Sequence, residues 1–401
     1  MQELFIGFTS VTWQDGVMML VGLTLIILAV VKDYEPMLLL PIGFGTILVN
    51  LPLHVVWEHD GAPGFLKILF DSGVRNELFP VLIFIAVGAM CDFRPMFKNP
   101  VMMFFGAAAQ FGIFATILVV LLIGNVLGNA IPVAPEGGFL KLLYETGENF
   151  RDLRVAAAIG IIGAADGPTS IFVANRFAQQ YLGPISVAAY SYMALVPLIQ
   201  PPVIRLCTTK KERQIKMVAR DADVPKSLMV CFPIVVTVIA GMAAPISVPL
   251  IGSLMFGNLI RECGVLERLS QAAQNELANI VTILLGIAIG SSMRSAEFLT
   301  PATIIILALG LVAFVFDTAG GVMFAKLLNL FRKEKINPMI GAAGISAFPM
   351  SARVIQKMAT EEDPHTFVIM HSVSANVSGQ LGSVIAGGIV LALVPLLLGG
   401  M

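Results

Sequence analysis

Gly160-Ile-Ile-Gly163-Ala-Ala-Asp166-Gly167-Pro168-Thr169-Ser170-Ile-Phe172 decides how this chain folds. The stretch is apolar at both ends, yet it holds a carboxylate, a Gly-Pro break and two hydroxyls. An ionisable residue at membrane depth is costly and by default faces a pathway or a partner. Proline lacks an N–H and pushes the residue before it out of the α region, so the backbone opens beside Asp166. Open backbone at that depth survives only where protein or a water-filled cavity satisfies it. Freed carbonyls, hydroxyls and a carboxylate are the hard oxygen surroundings that a small cation needs. The same residues also fit a plainer account: a kinked helix whose second half Asp166 caps, with Thr169 as the N3 partner.

The rest of the chain supplies the membrane. Its 401 residues are 57% hydrophobic and 13% charged, with a mean hydropathy of +0.87. Soluble domains are about half apolar and about a quarter charged, so this is the composition of an integral, polytopic membrane protein. No basic tail or array of stacking aromatics accompanies the net charge of −1, and nucleic acid is not an expected partner. Met1-Gln2-Glu3-Leu4-Phe5 lacks the positive start of a signal peptide, so the first apolar run is expected to be a retained span. Cys91, Cys207, Cys231 and Cys263 form no C-x-x-C, and His54, His59, His365 and His371 are dispersed. A zinc site is therefore not expected. Nor is there a P-loop, so no ATP hydrolysis of that kind is expected.

Apolar runs at 16–31, 36–50, 78–92, 101–125, 184–204, 227–245, 247–262, 277–292, 300–325 and 366–398 are read as crossings. They approach the roughly 20 residues that a bilayer requires. Segments 154–176 and 338–357 are interrupted by Gly, Pro and polar residues, and are read as re-entrant or broken helices. The last run, rich in glycine, is one tilted helix or two short ones. Loop 205–226 carries Arg205, Lys210, Lys211, Arg213, Lys216, Arg220 and Lys226, which places it in the cytoplasm by the positive-inside rule. Alternation from there gives the inside loops most of the Lys and Arg and leaves Lys67, Arg75, Lys141, Arg151, Arg154 and Arg294 outside. The outside loop 126–153 contains Phe139-Leu-Lys-Leu-Leu-Tyr144, read as a surface helix on the membrane face.

The halves echo one another. Ile162-Gly-Ala-Ala-Asp166 matches Ile340-Gly-Ala-Ala-Gly344, Ile85-Ala-Val-Gly88 matches Ile287-Ala-Ile-Gly290, and Pro41 and Asn50 match Pro249 and Asn258. The fold expected is an all-α polytopic membrane protein of two inverted-topology repeats, each of about five transmembrane helices and one broken hairpin. The first repeat is 1–204 with hairpin 154–176. A basic cytoplasmic linker follows at 205–226, and the second repeat is 227–401 with hairpin 338–357. Such hairpins meet near the midplane of secondary transporters and bind coupling ions there.

The second hairpin reads Asn337-Pro-Met-Ile-Gly341-Ala-Ala-Gly-Ile-Ser346-Ala-Phe-Pro349-Met-Ser351-Ala-Arg353, and a polar stripe follows at Ser372-Val-Ser374-Ala-Asn376-Val-Ser378-Gly379-Gln380-Leu-Gly382-Ser383. Asn376 and Gln380, four apart, share a helix face. Small and polar residues of this kind also serve plain helix packing. Arg353 is either a snorkelling end residue or a planar clamp for a carboxylate or carbamate. Tyr192 either finds an ordinary hydrogen-bond partner or stands in a proton path beside Asp166.

These motifs resemble, nearly end to end, the membrane β subunit of the biotin-dependent, sodium-pumping decarboxylases of the oxaloacetate, methylmalonyl-CoA, glutaconyl-CoA and malonate types. The resemblance is carried by G-A-A-D-G-P-T at Gly163–Thr169, by N-P-M-I-G-A-A-G-I-S-A-F-P at Asn337–Pro349 with Arg353, and by N-V-S-G-Q-L-G-S at Asn376–Ser383. It implies that Asp166 is the central ion-binding carboxylate and that Asn337, Gly341, Ser346 and Asn376 join it around sodium. It implies catalytic roles for Asp166, Ser346, Arg353 and Tyr192, with Arg353 holding carboxybiotin. It further implies a bacterial or archaeal plasma membrane and a hetero-complex containing several copies of the chain. That complex would add a carboxyltransferase, a biotin carrier and a small membrane-anchoring subunit. Carboxybiotin would arrive in trans, since no Met-Lys-Met tripeptide occurs here. Its decarboxylation would consume an external proton and export sodium. A stand-alone sodium/proton or sodium/carboxylate transporter is the alternative on the same scaffold.

Overall fold

A chain that crosses lipid must satisfy its backbone within itself, and these apolar runs do so as helices. The computed structural model describes residues 7, 10–33, 35–131, 134–217, 223–347 and 349–399. The Met1–Phe5 stretch, Arg220 of the basic loop and Phe348 of the second hairpin lie outside the described residues. The main helices, in chain order, are α1 (Trp13–Lys32), α2 (Pro36–Val49), α3 (Leu78–Met90), α4 (Met103–Ala109), α5 (Phe111–Ala130), α6 (Gly138–Phe150), α7 (Leu153–Gly160) and α8 (Gly167–Phe177). They continue with α9 (Leu182–Ala194), α10 (Val196–Cys207), α11 (Lys226–Ala243), α12 (Val248–Cys263), α13 (Ala278–Ser291), α14 (Pro301–Phe331), α15 (Met350–Glu362) and α16 (Ile369–Leu397). A two-residue strand pair, Glu58–His59 with Ala62–Pro63, closes a loop between α2 and α3.

Among the described residues, six helices are long and apolar enough to cross a membrane, or eight if two bent pairs each count as one span. The final segment is a single helix of 29 residues, α16. Segment 184–204, expected as one crossing, is instead broken: α9 and α10 meet at Leu195 with a bend of 71°. Pro197 explains the break, because it cannot donate to a carbonyl one turn back and its ring crowds that carbonyl. In a second bent pair, at 57°, α3 answers to the expected crossing 78–92, whereas its partner Phe65–Arg75 has no counterpart among the expected spans. The amphipathic stretch in loop 126–153 does form a helix, α6. Its Phe139 and Leu140 are exposed, while Thr146, Gly147 and Phe150 are buried.

Two close helix pairs, α3 with α12 and α2 with α13, are built by the same device. Gly88 of α3 lies against the Leu254 carbonyl, and Gly257 of α12 lies against the Ile85 carbonyl. Gly45 of α2 meets Ile287, and Gly290 of α13 meets Ile42. Small residues let helix backbones approach where lipid offers no hydrophobic drive. Asn50, just after α2, donates to the Met293 carbonyl at 2.8 Å, and Asn258 of α12 donates to the Cys91 carbonyl at 2.9 Å. Gly88→Ala is therefore expected to cost about 1–3 kcal/mol by overpacking against backbone. Gly16→Ala, whose new methyl would meet nothing within 4 Å, should be neutral or stabilising. Thermal unfolding in detergent distinguishes the two variants, and equal melting temperatures would refute the close-approach account.

Candidate functional site

Asp152 starts the first interrupted segment by capping α7, its Oδ1 accepting from the Arg154 amide at 2.8 Å. The chain then tightens into a 3-10 turn, Ile161–Ala164. Ala165 is left-handed (φ 51°, ψ 44°), and Asp166 is extended. Helix α8 restarts at Gly167-Pro168, where proline is welcome because the first helical amides have no intrahelical partner. Asp166 does cap it, Oδ1 accepting from the Thr169 amide at 3.3 Å, as the plainer account expects.

Its other oxygen is used differently. Oδ2 accepts from the Thr169 hydroxyl at 2.7 Å and from the Ser383 hydroxyl of α16 at 2.7 Å, with the Ser346 hydroxyl at 3.5 Å. Ser383 and Ser346 are themselves 3.0 Å apart, and the Ser346 hydroxyl bonds to Gln380 Oε1. Asp166, Thr169, Ser346, Gln380 and Ser383 are all buried, and no described Lys, Arg or His pairs with Asp166. A carboxylate, three hydroxyls and an amide oxygen thus converge without a basic side chain. Each hydroxyl has one proton and spare lone pairs, so the cluster can turn toward a cation as easily as toward the carboxylate.

The second interrupted segment arrives from the other side of that cluster. A 3-10 helix, Pro338–Gly344, gives way to an extended Ile345. The Ser346 amide then donates to the Ala164 carbonyl at 3.1 Å, so the two breaks are joined backbone to backbone. Asn376 holds the opened turn: its Nδ2 lies 3.2, 2.7 and 3.4 Å from the carbonyls of Ala343, Ile345 and Ala347. Its buried Oδ1 has no partner. Gln200 and Ser351 secure the Ala342 carbonyl, with Gln200 Nε2 at 2.9 Å.

Of the residues singled out from sequence, Asp166 and Ser346 come together here, and Asn376 supports them. Asn337 sits at the start of the second segment. Its Oδ1 accepts from the Met339 amide at 3.1 Å, and its Nδ2 donates to the carbonyls of Arg213 and Ile215. It thereby ties the segment to the loop after α10. That loop also docks on the end of α15 through Arg213–Glu362 at 2.7 Å and Lys216–Asp363 at 3.4 Å. The His365 amide, then Thr366 and Lys216, hold the Asp363 carboxyl below its ordinary value. This group keeps its charge, and with it the Lys216 contact, somewhat below the usual carboxylate range. Gly341 packs on Gly321 of α14. The Tyr192 hydroxyl donates to the Leu307 carbonyl of α14, whereas the Tyr190 ring lies on Gly167. The buried Tyr190 hydroxyl has no hydrogen-bond partner. Arg353 is exposed on α15 and makes no ion pair among the described residues.

Sequence reasoning assigned no role to Ser383, Tyr190 or Asp317. Ser383 was signalled by its place three residues after Gln380, on the same face. Asp317 was signalled more plainly, as a carboxylate inside the apolar run 300–325. It is fully buried in α14. Oδ1 approaches Gly112 of α5, and a Cβ on Gly163 would stand 2.5 Å from Oδ2. The amides of Gly112 and Ile113 approach the carboxylate, yet neither of its oxygens receives a well-formed hydrogen bond. A helix start stabilises an anion by about 0.3–1 kcal/mol, at most about 2. Removing a carboxylate from water costs several kcal/mol even after relaxation. The start of α5 does not cover that charge.

Two cavities open near the ends of these segments. One of about 650 Å³ lies where α8 ends, lined by Asn175, Gln179, Tyr181, Arg75 and Glu145. The other, of about 600 Å³, lies beside Ile336 and is lined by Lys216, Arg332, Lys335 and His371.

Residues 14–394 match the family described as the Na+-transporting oxaloacetate decarboxylase beta subunit. The chain is 47% identical over 388 residues to the glutaconyl-CoA decarboxylase subunit beta of Acidaminococcus fermentans, covering 97% of this chain and 95% of that one. It is 45% identical to the methylmalonyl-CoA decarboxylase subunit beta of Veillonella parvula, covering 96% and 95%. To the probable oxaloacetate decarboxylase beta chain of Vibrio cholerae it is 41% identical, covering 96% of each.

Proposed function

The chain belongs to the β-subunit family of the Na+-transporting oxaloacetate decarboxylases, and from that premise we propose how its residues couple decarboxylation to sodium export. It is an integral, multi-pass membrane subunit of a multi-subunit, sodium-pumping decarboxylase. The stand-alone carrier is not favoured, since the three relatives are named as decarboxylase subunits.

The observation that carries the reading is the oxygen cluster where the two breaks meet: Asp166 with Thr169, Ser346, Gln380 and Ser383. A small hard cation prefers such oxygens, and its charge offsets that of the buried carboxylate. Sodium is the cargo held there. Asn376 sets the shape of the site by fixing the carbonyls around Ile345, and its spare Oδ1 is a further acceptor. Asn337 and Gly341 act at a remove, the first anchoring the segment and the second permitting its close contact with α14. Tyr190 lies on Gly167 of the first break, while Tyr192 braces α9 against α14 and packs on the cluster that holds Ala165 and Ile345.

Loss of carbon dioxide from N-carboxybiotin breaks an N–C bond and requires one proton on the ureido nitrogen. An exposed guanidinium without an acidic partner suits a carbamate, and Arg353 is such a group. The carrier of that biotin and the carboxyltransferase that loads it are other chains, joined by a small anchoring subunit and further copies of this one. A proton from outside displaces sodium at the Asp166 cluster and then serves the decarboxylation. The cavity at the end of α8 and the basic one beside Ile336 are the two approaches, outside and cytoplasmic.

Two inverted repeats, 1–204 and 227–401 around the linker 205–226, give this alternation its framework. The repeated device of α2 with α13 and α3 with α12, glycine on carbonyl and Asn50 or Asn258 on a helix-end carbonyl, supports that pairing.

Sodium-22 movement by the purified chain in liposomes, with and without N-carboxybiotin and with free biotin monitored, tests the reading. Sodium flux tied to biotin release is expected; flux indifferent to carboxybiotin would overturn it. Ser383→Ala keeps the charge and removes one bond to it. Such bonds are worth about 1.5–3 kcal/mol, so half-saturation by sodium should rise about 10- to 100-fold. An unchanged sodium requirement would remove Ser383 from the site.

A further inference from the structure

We propose that Asp317 is a second cation-accepting carboxylate, separate from Asp166, whose charge is neutralised by a bound proton or sodium ion. Asp317 lies within α14, fully buried, and neither carboxylate oxygen receives a well-formed hydrogen bond from a described protein group. Buried charges in proteins are paired or neutralised, and no pairing side chain is at hand. The elements packed on α14 include α4, α5, α9, the turn Ile161–Ala164 and the 3-10 helix Pro338–Gly344, none of which carries a Lys, Arg or His. Of the basic groups on its other neighbours α6, α7 and α10, Lys141 pairs with Glu145, Arg205 pairs with Glu361 and Arg154 is exposed. The nearby ionisable groups then include Asp166, just beyond that turn, and Tyr190 and Tyr192 on α9. Asp166 has the wrong sign to pair, and the Tyr192 hydroxyl is spent on Leu307.

The surroundings have the shape of a cradle. Gly112 and Gly163 approach the two carboxylate oxygens from opposite partners, α5 and the first interrupted segment. A methyl at either would press on the carboxylate. Capping of α5 is the plainer role for Asp317, and the Gly112 and Ile113 amides do point toward it, but neither is placed to make a well-formed hydrogen bond. Gly163 stands three residues before Asp166. A cation at Asp317 therefore acts on the segment that carries the Asp166 cluster, and the two sites can sense one another through the Ile161–Ala164 turn.

The test uses the full chain in liposomes without carboxybiotin, so its failure leaves the decarboxylase reading untouched. Equilibrium binding of sodium-22 is counted, and infrared difference spectra after a sodium jump record the carbonyl stretch of protonated carboxylic acids. Asp317→Asn is expected to lose one bound sodium, which identifies sodium, or to lose one carboxylic-acid band at unchanged sodium count, which identifies the proton. Wild-type values of both overturn the proposal. Should Asp317→Asn not fold, the same measurements on Asp166→Asn decide: a remaining bound sodium or a remaining acid band is expected, and the absence of both overturns it.

Discussion

Asp166→Asn is expected to abolish sodium transport and decarboxylation together while leaving the protein folded. Asparagine caps a helix about as well as aspartate, so the Thr169 amide keeps its acceptor and α8 keeps its start. What disappears is the negative charge facing Thr169, Ser346 and Ser383. Removing one partner of a buried charge pair costs about 3–5 kcal/mol, which is about 150- to 4,000-fold in cation affinity. Sodium-22 binding should fall by that factor, and biotin release from carboxybiotin should fall with it. An unchanged melting temperature separates the effect from misfolding. Sodium-dependent decarboxylation that persists in this variant would show that coupling runs through another carboxylate.

Asn376→Asp should be as damaging for a different reason. The asparagine amide faces three carbonyl oxygens of the opened turn, those of Ala343, Ile345 and Ala347. A carboxylate has no hydrogen to give them, so three acceptors would face a fourth. Leaving buried carbonyls unpaired costs about 1–3 kcal/mol each, before the repulsion is counted. Both activity and thermal stability are expected to drop, activity by about 100-fold or more at the upper end of that cost. Asn376→Ala should fall less far, since it adds no repulsion. Equal damage from Asp and Ala would mean that the carbonyl clamp is not what Asn376 provides.

The break at Asp166 was legible because Asp-Gly-Pro has a local physical meaning: a cap, a hinge and a missing donor. Its partners were not legible in the same way. Ser383 is 217 residues away, and only the docking of α16 brings it to the carboxylate. Tyr192 was the tyrosine expected near Asp166; it packs on the cluster that holds Ala165 and Ile345, while Tyr190, which was not singled out, lies on Gly167. Residues two apart on an α-helix point to nearly opposite sides, so one of the pair faces Gly167 and the other faces α14. Asn337 was expected among the ion ligands, but its amide satisfies a local amide and two loop carbonyls. The bend at Leu195 followed from Pro197, a signal hidden inside a run of the right length for a straight crossing. Asp317 obeyed the rule that drew attention to Asp166, and it lacked only a break beside it.

Ala165 carries a consequence of another kind. It is an alanine in the left-handed region, directly before the carboxylate. L-residues pay about 1–2 kcal/mol for that conformation, and glycine would adopt it freely. Glycine would also allow many other conformations, each aiming Asp166 differently. The methyl group removes most of those alternatives, so a cation proposed at Asp166 would meet a carboxylate already oriented. The strain at Ala165 is the thermodynamic counterpart of preorganisation at Asp166.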